Sequence, residues 1–223
     1  MIESMLQSVA KILPQYNSSQ VSELVYSWES AYGAASGTIW EQSQTGAFPF
    51  SWLISSSLEE ITQDLMMNLT RSEFNELVSA WGQLTPWEGT QEALEVLAKA
   101  NLDIGTLSNG DWRTLQSDVS IFASPVSFKY IFPSDFPVGA FKPQPAIYEQ
   151  TLALGYDISE ILHVAGGSGD ASGARDAGLF SVFLAKTYRN RGRNLFADTA
   201  DQKSTQPCFV IDDISELPAI LGL

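Results

Sequence analysis

From Gly89 onward, short apolar runs alternate with segments of helical spacing, and few folds can absorb such a pattern. Gly89 to Ala100 reads as a helix, Leu102 to Leu107 as a strand, Asp111 to Phe122 as a helix and Tyr130 to Phe132 as a strand. Pro145 to Leu154, Ile161 to Ala165, Ala171 to Ala177 and Ser181 to Ala185 continue as helix, strand, helix and strand; Cys208 to Ile211 and Ser215 to Leu221 close the series. Strands separated by helices require right-handed crossovers, which predicts an α/β fold with a parallel sheet covered on both faces. In such sheets ligands bind outside the carboxyl ends of the strands.

Residues 1 to about 83 follow a different rule. Ile2, Met5, Leu6, Val9, Ile12 and Leu13 recur at helical spacing until Pro14 ends the run. Ser18 or Ser19 can cap a second helix through Val21, Leu24, Val25 and Trp28, and Leu58 to Leu69 and Ser72 to Trp81 read as two more. An aromatic stretch with Trp40, Phe48, Phe50 and Trp52 lies between them. The expected division is a helical segment, 1–83, and an α/β segment, 84–223.

At 223 residues with 44% apolar content, the chain can bury a sizeable core. Twelve basic against twenty-six acidic residues leave a net charge of −14, which repels nucleic acid and anionic membranes, so neither is expected as a partner. One cysteine, Cys208, excludes an internal disulfide, and one histidine, His163, excludes a multi-histidine metal site. No apolar run reaches membrane-spanning length and the first residues lack a signal-peptide pattern, so a cytoplasmic location is expected. A small-molecule substrate is the expected partner, with no cofactor and no metal; association into a homodimer is left open.

Three polar segments are expected at the carboxyl ends of strands: Leu107-Ser108-Asn109-Gly110, Phe141-Lys142-Pro143-Gln144-Pro145 and Gly167-Ser168-Gly169-Asp170. Ser108 offers a hydroxyl, Asn109 an amide and Lys142 a compact positive charge, while the glycine turn lets backbone N–H groups approach an anion. Such a set suits a carboxylate, a phosphate or a developing oxyanion. Asp170 can hold Lys142 in place, accept a proton or help bind a cation. Each segment alone is an ordinary turn; the order of all three along one α/β pattern makes them a candidate site.

At these residues the chain resembles the type II 2-haloacid dehalogenases of the haloacid dehalogenase (HAD) superfamily, from about residue 18 to the C-terminus. That family's second motif matches Leu107 to Gly110, its third matches Lys142, Pro143 and Tyr148, and its fourth matches Asp170 to Ala174. The resemblance implies an HAD-like Rossmannoid parallel sheet with a helical cap, residues 1–83, over the pocket. With the polar rim and these motifs together, Ser108, Asn109, Tyr148, Gly167 and Ser168, with Phe50 and Trp52 of the cap, are the candidate substrate-binding positions, and Lys142 and Asp170 the candidate catalytic ones.

Three departures from the family pattern carry chemical weight. The family's nucleophile is an Asp ending a first strand, in an Asp-x-x-Gly-Thr-type motif ahead of the cap, and no Asp-x-x-x-Thr follows an apolar run before residue 83 here. The Arg that receives the leaving halide is replaced by Ser30, within Tyr26-Ser27-Trp28-Glu29-Ser30. The Ser and Asn ahead of the fourth-motif Asp are replaced in the run Ala165-Gly166-Gly167. On this reading the central first strand is missing, and the slot is closed by direct pairing of the strands ending at Leu107 and Ala165, filled by another chain, or owed to a lost N-terminus. Without a carboxylate nucleophile the usual ester intermediate cannot form.

The expected function is then a dehalogenase-like enzyme doing non-hydrolytic acid–base chemistry of lyase, isomerase or cyclase type, with Lys142 and Asp170 as the pair and Ser108 and Asn109 holding an oxyanion. The alternatives are an ordinary HAD hydrolase given as an incomplete chain, and a catalytically dead binding or scaffold protein. His163 reads as a core histidine or a group behind the site, Tyr148 as packing with its hydroxyl at the rim, and Trp40, Phe48, Phe50 and Trp52 as cap core. Lys186, Arg189, Arg191 and Arg193 read as a solvated loop and Cys208 as inert.

Overall fold

The computed structural model describes residues 2–42, 50–135, 137–185 and 206–223, with side chains from all of these but 37–42. The Trp40 side chain, Phe48 and the basic cluster Lys186, Arg189, Arg191 and Arg193 lie outside that set. In chain order the elements are α1 (Ile2–Ile12), α2 (Ser18–Gln42), α3 (Phe50–Asp64), α4 (Arg71–Ala80), α5 (Thr90–Lys99), β1 (Ile104–Leu107), α6 (Trp112–Val119), β2 (Phe128–Phe132), α7 (Pro145–Leu152), β3 (Leu162–Ala165), α8 (Ser168–Asp176), β4 (Phe180–Leu184) and β5 (Phe209–Ile211), before a one-turn helix Leu217–Ile220.

Two compact units result. The first gathers Met1–Pro86 with Ser108–Ile121 and Pro133–Gly139. Its core is the sum of helical stripes: Met5 and Val9 from α1, Val21, Leu24, Val25 and Trp28 from α2, Phe50, Ile54 and Leu58 from α3, and Leu77 and Ala80 from α4, joined by Leu13 and Trp81. Spacings of three and four put these side chains on one face of each helix, so burying the stripe stabilises the bundle without help from a sheet. Trp28 is fully buried, and its indole N–H donates to the Ile54 carbonyl at 3.0 Å and to Ser57 Oγ at 3.2 Å. Its ring meets Trp81 edge to face at 5.5 Å.

Two local expectations change. The second helix is capped by Asn17 rather than by Ser18 or Ser19: Asn17 Oδ1 accepts the Gln20 N–H at 3.0 Å while the Gln20 side chain accepts the Asn17 N–H. A reciprocal pair satisfies two end donors where a lone serine satisfies one. The third helix begins at Phe50, not Leu58, because the apolar stripe Phe50, Leu53, Ile54 and Leu58 is already periodic through the aromatic stretch. Helix α4 starts at a capping box in which Thr70 Oγ1 accepts from the Glu73 N–H and the Glu73 carboxylate accepts from the Thr70 N–H at 2.6 Å. Thr70→Ala is expected to lower stability by about 1 kcal/mol, read from the urea midpoint at constant slope.

The second unit holds Trp87–Leu107, Phe122–Phe132 and Ala140–Leu223. Among the described residues its strands are all parallel, in two ladders: β1 with β2, and β3, β4 and β5 in that order. Ala93 and Leu97 of α5 pack with Val182, Leu184, Ile211 and Leu217, and the partly buried Ile104, Leu162 and Val164 join the same layer. Among the described residues no ladder joins β1 to β3, so direct pairing of these two strands, one of the three ways of accounting for the slot, is not seen. Side-chain packing beneath α5, not backbone pairing, ties β1 and β3 into one core. The tetrapeptide Asp-Ile-Ser-Glu occurs at 157–160 and 213–216, and both copies form the same capping box on a short 3₁₀ turn, the first leading into β3.

Candidate active site

Strand β3 ends at Ala165, and the chain passes through Gly166 and Gly167 directly into α8. The helix starts at Ser168, three residues earlier than its periodicity suggests, because Ala171 and Ala174 are both fully buried and Ala171 packs with Ala165 and Phe183. Asp170 therefore sits inside the first turn of a helix instead of in a loop ahead of it. Gly167, the residue before the helix, offers no side-chain cap. The first-turn N–H groups and the helix dipole favour negative charge at this end.

Three further elements supply donors to the Asp170 carboxylate. Lys142 comes not from the carboxyl end of a strand, as expected, but from the long connection between β2, which ends at Phe132, and α7, and it places Nζ 2.7 Å from Oδ2. Tyr148, on α7, donates its hydroxyl to Oδ1 at 2.9 Å and approaches the Asp170 carbonyl at 3.2 Å. His163, on β3, places Nε2 2.8 Å from the same Oδ1. The Lys142 and Asp170 side chains retain 15% and 17% of their exposure. Burial pushes the Asp170 carboxyl up, but the Lys142 charge, the His163 contact and the hydrogen bonds hold it down at about 2, so it is a carboxylate at neutral pH. Burial, reinforced by the neighbouring Asp170 charge, pushes the Tyr148 hydroxyl far up and keeps it a donor.

Close approach makes the cluster possible. A Cβ on Gly173 of α8 would lie 2.6 Å from Tyr148 Oη and 2.8 Å from Pro143 Cβ. A rigid phenol and a proline ring cannot both give way, so Gly173→Ala is expected to displace Tyr148 from Asp170 and to cost about 1–3 kcal/mol, measured as a lowered urea midpoint. A variant as stable as the parent chain would show that α8 can slide.

The sequence-derived site residues divide between the units. Lys142, Tyr148, Gly167, Ser168 and Asp170 lie in the second, where Lys142, Tyr148 and Asp170 are in mutual contact. Ser108, Asn109, Phe50 and Trp52 belong to the first. There Ser108 Oγ accepts the Gly110 N–H at 3.1 Å, and the Asn109 carbonyl accepts the Ser134 hydroxyl at 2.7 Å. The Asn109 side chain bonds the Tyr32 hydroxyl, whose burial raises its proton affinity. Phe50 is buried against Tyr32 and Trp81, while Trp52, two positions along α3, is half exposed. Tyr148 is fully buried with its hydroxyl committed to Asp170. The contact that sequence reasoning left open is His163 to Asp170; its one signal was a histidine two residues before the end of a strand that feeds a carboxylate-bearing helix.

The haloacid dehalogenase-like hydrolase family matches residues 7–178. The chain belongs to this family. It is 29% identical over 219 residues to (S)-2-haloacid dehalogenase 2 of Pseudomonas sp. (strain CBS-3), covering 97% of this chain and 90% of that one. With (S)-2-haloacid dehalogenase of Pseudomonas fluorescens it shares 26% identity over 212 residues, covering 89% and 86%. The structure of L-2-haloacid dehalogenase from Xanthobacter autotrophicus with chloropropionic acid covalently bound superposes with a TM-score of 0.79 at 22% identity, covering 97% and 93%. That likeness establishes the HAD-like α/β fold. Among the described residues no helix is long and apolar enough to cross a membrane, and no three His, Cys, Asp or Glu side chains are grouped to hold a metal ion.

Proposed function

We propose that the Lys142–Asp170 cluster is the reactive centre of an enzyme acting on a small or medium organic substrate that carries or develops negative charge. The observation that carries this reading is the Lys142 ammonium, held 2.7 Å from a carboxylate that stays ionised, with both side chains largely shielded from water. A charge fixed in a low-dielectric rim stabilises a developing anion far better than one in bulk water. The N–H groups at the open start of α8, at Ser168 and its neighbours, would add neutral donors to the same anion. Asp170 already receives three donors and titrates near 2, which suits it to anchoring Lys142 rather than accepting a proton. Lys142 is then the residue that holds the oxyanion, gives a proton to it and, as the neutral amine so formed, returns to the ammonium by taking a proton from the substrate.

For the reaction class we favour non-hydrolytic acid–base chemistry without an ester intermediate. Its support is the run Ala165-Gly166-Gly167 and Ser30, which bring no polar side chain beyond one hydroxyl where the resembling family uses Ser, Asn and Arg. Hydrolysis is the second reading, supported by the family match over residues 7–178 and by curated relatives that are (S)-2-haloacid dehalogenases. Turnover of 2-haloacids, phosphate esters and carboxylic acids lacking a leaving group, in water enriched in ¹⁸O, separates the two. Hydrolysis transfers the label to product; isomerisation, or elimination without addition of water, leaves it in the solvent. On whichever substrate turns over, Lys142→Ala should reduce kcat/KM about 100-fold or more, and an unchanged rate would remove Lys142 from the centre.

A further inference from the structure

We infer that His163 is a positioning residue for the Lys142–Asp170 pair: by binding Oδ1 it fixes the carboxylate with Oδ2 toward Lys142 and takes up part of the charge that the ammonium would otherwise neutralise. The inference rests on the reading that Lys142 faces the anion.

The geometry is specific. His163 Nε2 and the Tyr148 hydroxyl share Oδ1 at 2.8 and 2.9 Å, while Lys142 holds Oδ2 at 2.7 Å. An ionised carboxylate has only lone pairs to offer, so the ring hydrogen must lie on Nε2. The ring cannot easily turn away, because His163 is buried on β3 and stands edge-on to Tyr148, 5.5 Å between centroids at 87°. The charged and titratable groups around it come from each packed element: Asp170 on α8, Tyr148 on α7 and Lys142 ahead of α7. Asp176, further along α8, reaches Tyr148 by its charge. The adjacent strand presents Ser181, whose hydroxyl is engaged by the Ala171 carbonyl. Without His163, Oδ1 would lose one of the two side-chain donors that His163 and Tyr148 supply to it. More of the carboxylate charge would then fall on Lys142, binding its ammonium more tightly and leaving less of its field for an incoming anion.

Acetic anhydride labelling of the folded full-length chain at pH 8 tests this, with Lys142 acetylation read by peptide mass spectrometry against the exposed Lys99. His163→Phe, which keeps a planar ring and removes the donor, should slow Lys142 acetylation about threefold to tenfold while leaving Lys99 unchanged. His163→Gln, whose amide can place an N–H near the Nε2 position, should return the rate to within about twofold of the parent chain. An unchanged or faster Lys142 in His163→Phe, or a slowed His163→Gln, overturns the inference. Should either variant fail to fold, the parent chain itself decides, because its single histidine makes the ring ¹⁵N signals unambiguous: Nε2–H at alkaline pH is required, and Nδ1–H overturns it. Neither readout involves turnover. Failure of the proposed reaction would appear in the Lys142→Ala kinetics, and failure of this inference in the labelling.

Discussion

Asp170→Ala is expected to destabilise the second unit by roughly 3–5 kcal/mol, the range for removing one partner of a buried ion pair. The loss has three parts that act together: Lys142 keeps its charge with little water to replace the carboxylate, the His163 ring loses its acceptor, and the Tyr148 hydroxyl keeps only the longer contact to the backbone carbonyl of residue 170. Asp170→Asn retains an acceptor oxygen and should lose less. Urea unfolding at pH 7 measures both, and a loss below about 1 kcal/mol for the alanine variant would show that the pair stabilises nothing. The pH dependence has a definite sign. Because the folded carboxyl lies below its ordinary range, at about 2, its contribution is fully present above about pH 4 and disappears as pH falls toward 2. The parent chain should therefore lose on the order of 2 kcal/mol more than Asp170→Asn across that window.

Trp28→Ala should damage the helical unit as severely, by about 3–5 kcal/mol. Trp28 is 1% exposed, meets Trp81 edge to face, and spends its N–H on Ile54 and Ser57. The helices around it are each anchored by further stripes, so the site cannot collapse to fill the volume an indole leaves. Trp28→Phe keeps most of the ring and loses the N–H bonds, and should cost about 1–2 kcal/mol. Far-UV circular dichroism during urea unfolding gives both values, and equal losses for the two variants would assign the effect to the hydrogen bonds instead of the cavity.

Most of the candidate site could be read in the sequence as residues, and little of it as geometry. Lys142 and Asp170 stand out because each sits beside a turn in an α/β alternation, and Tyr148 through the resemblance to the family's third motif. That they converge depends on α8 starting at Ser168, on a glycine at 173 that lets α7 and α8 meet, and on β3 aiming His163 at the same carboxylate oxygen. Phe50 and Trp52 show the same limit, since two aromatic residues of one stretch separate into core and surface once α3 is seen to run through them.

The sequence by itself determined what is local. Helical stripes, strand runs and the two Asp-Ile-Ser-Glu caps follow from side-chain period and hydrogen bonds within a few residues, so the alternation and the helical N-terminal segment appear in the structure close to where they are expected. Only the tertiary structure decided what is shared between distant segments. Strands β1 and β3 remain unpaired with each other yet meet in one apolar layer, and one carboxylate is claimed by three donors from the α7 region, α7 and β3. Those outcomes depend on which buried group finds which partner, a competition between desolvation and hydrogen bonding that no window of sequence contains.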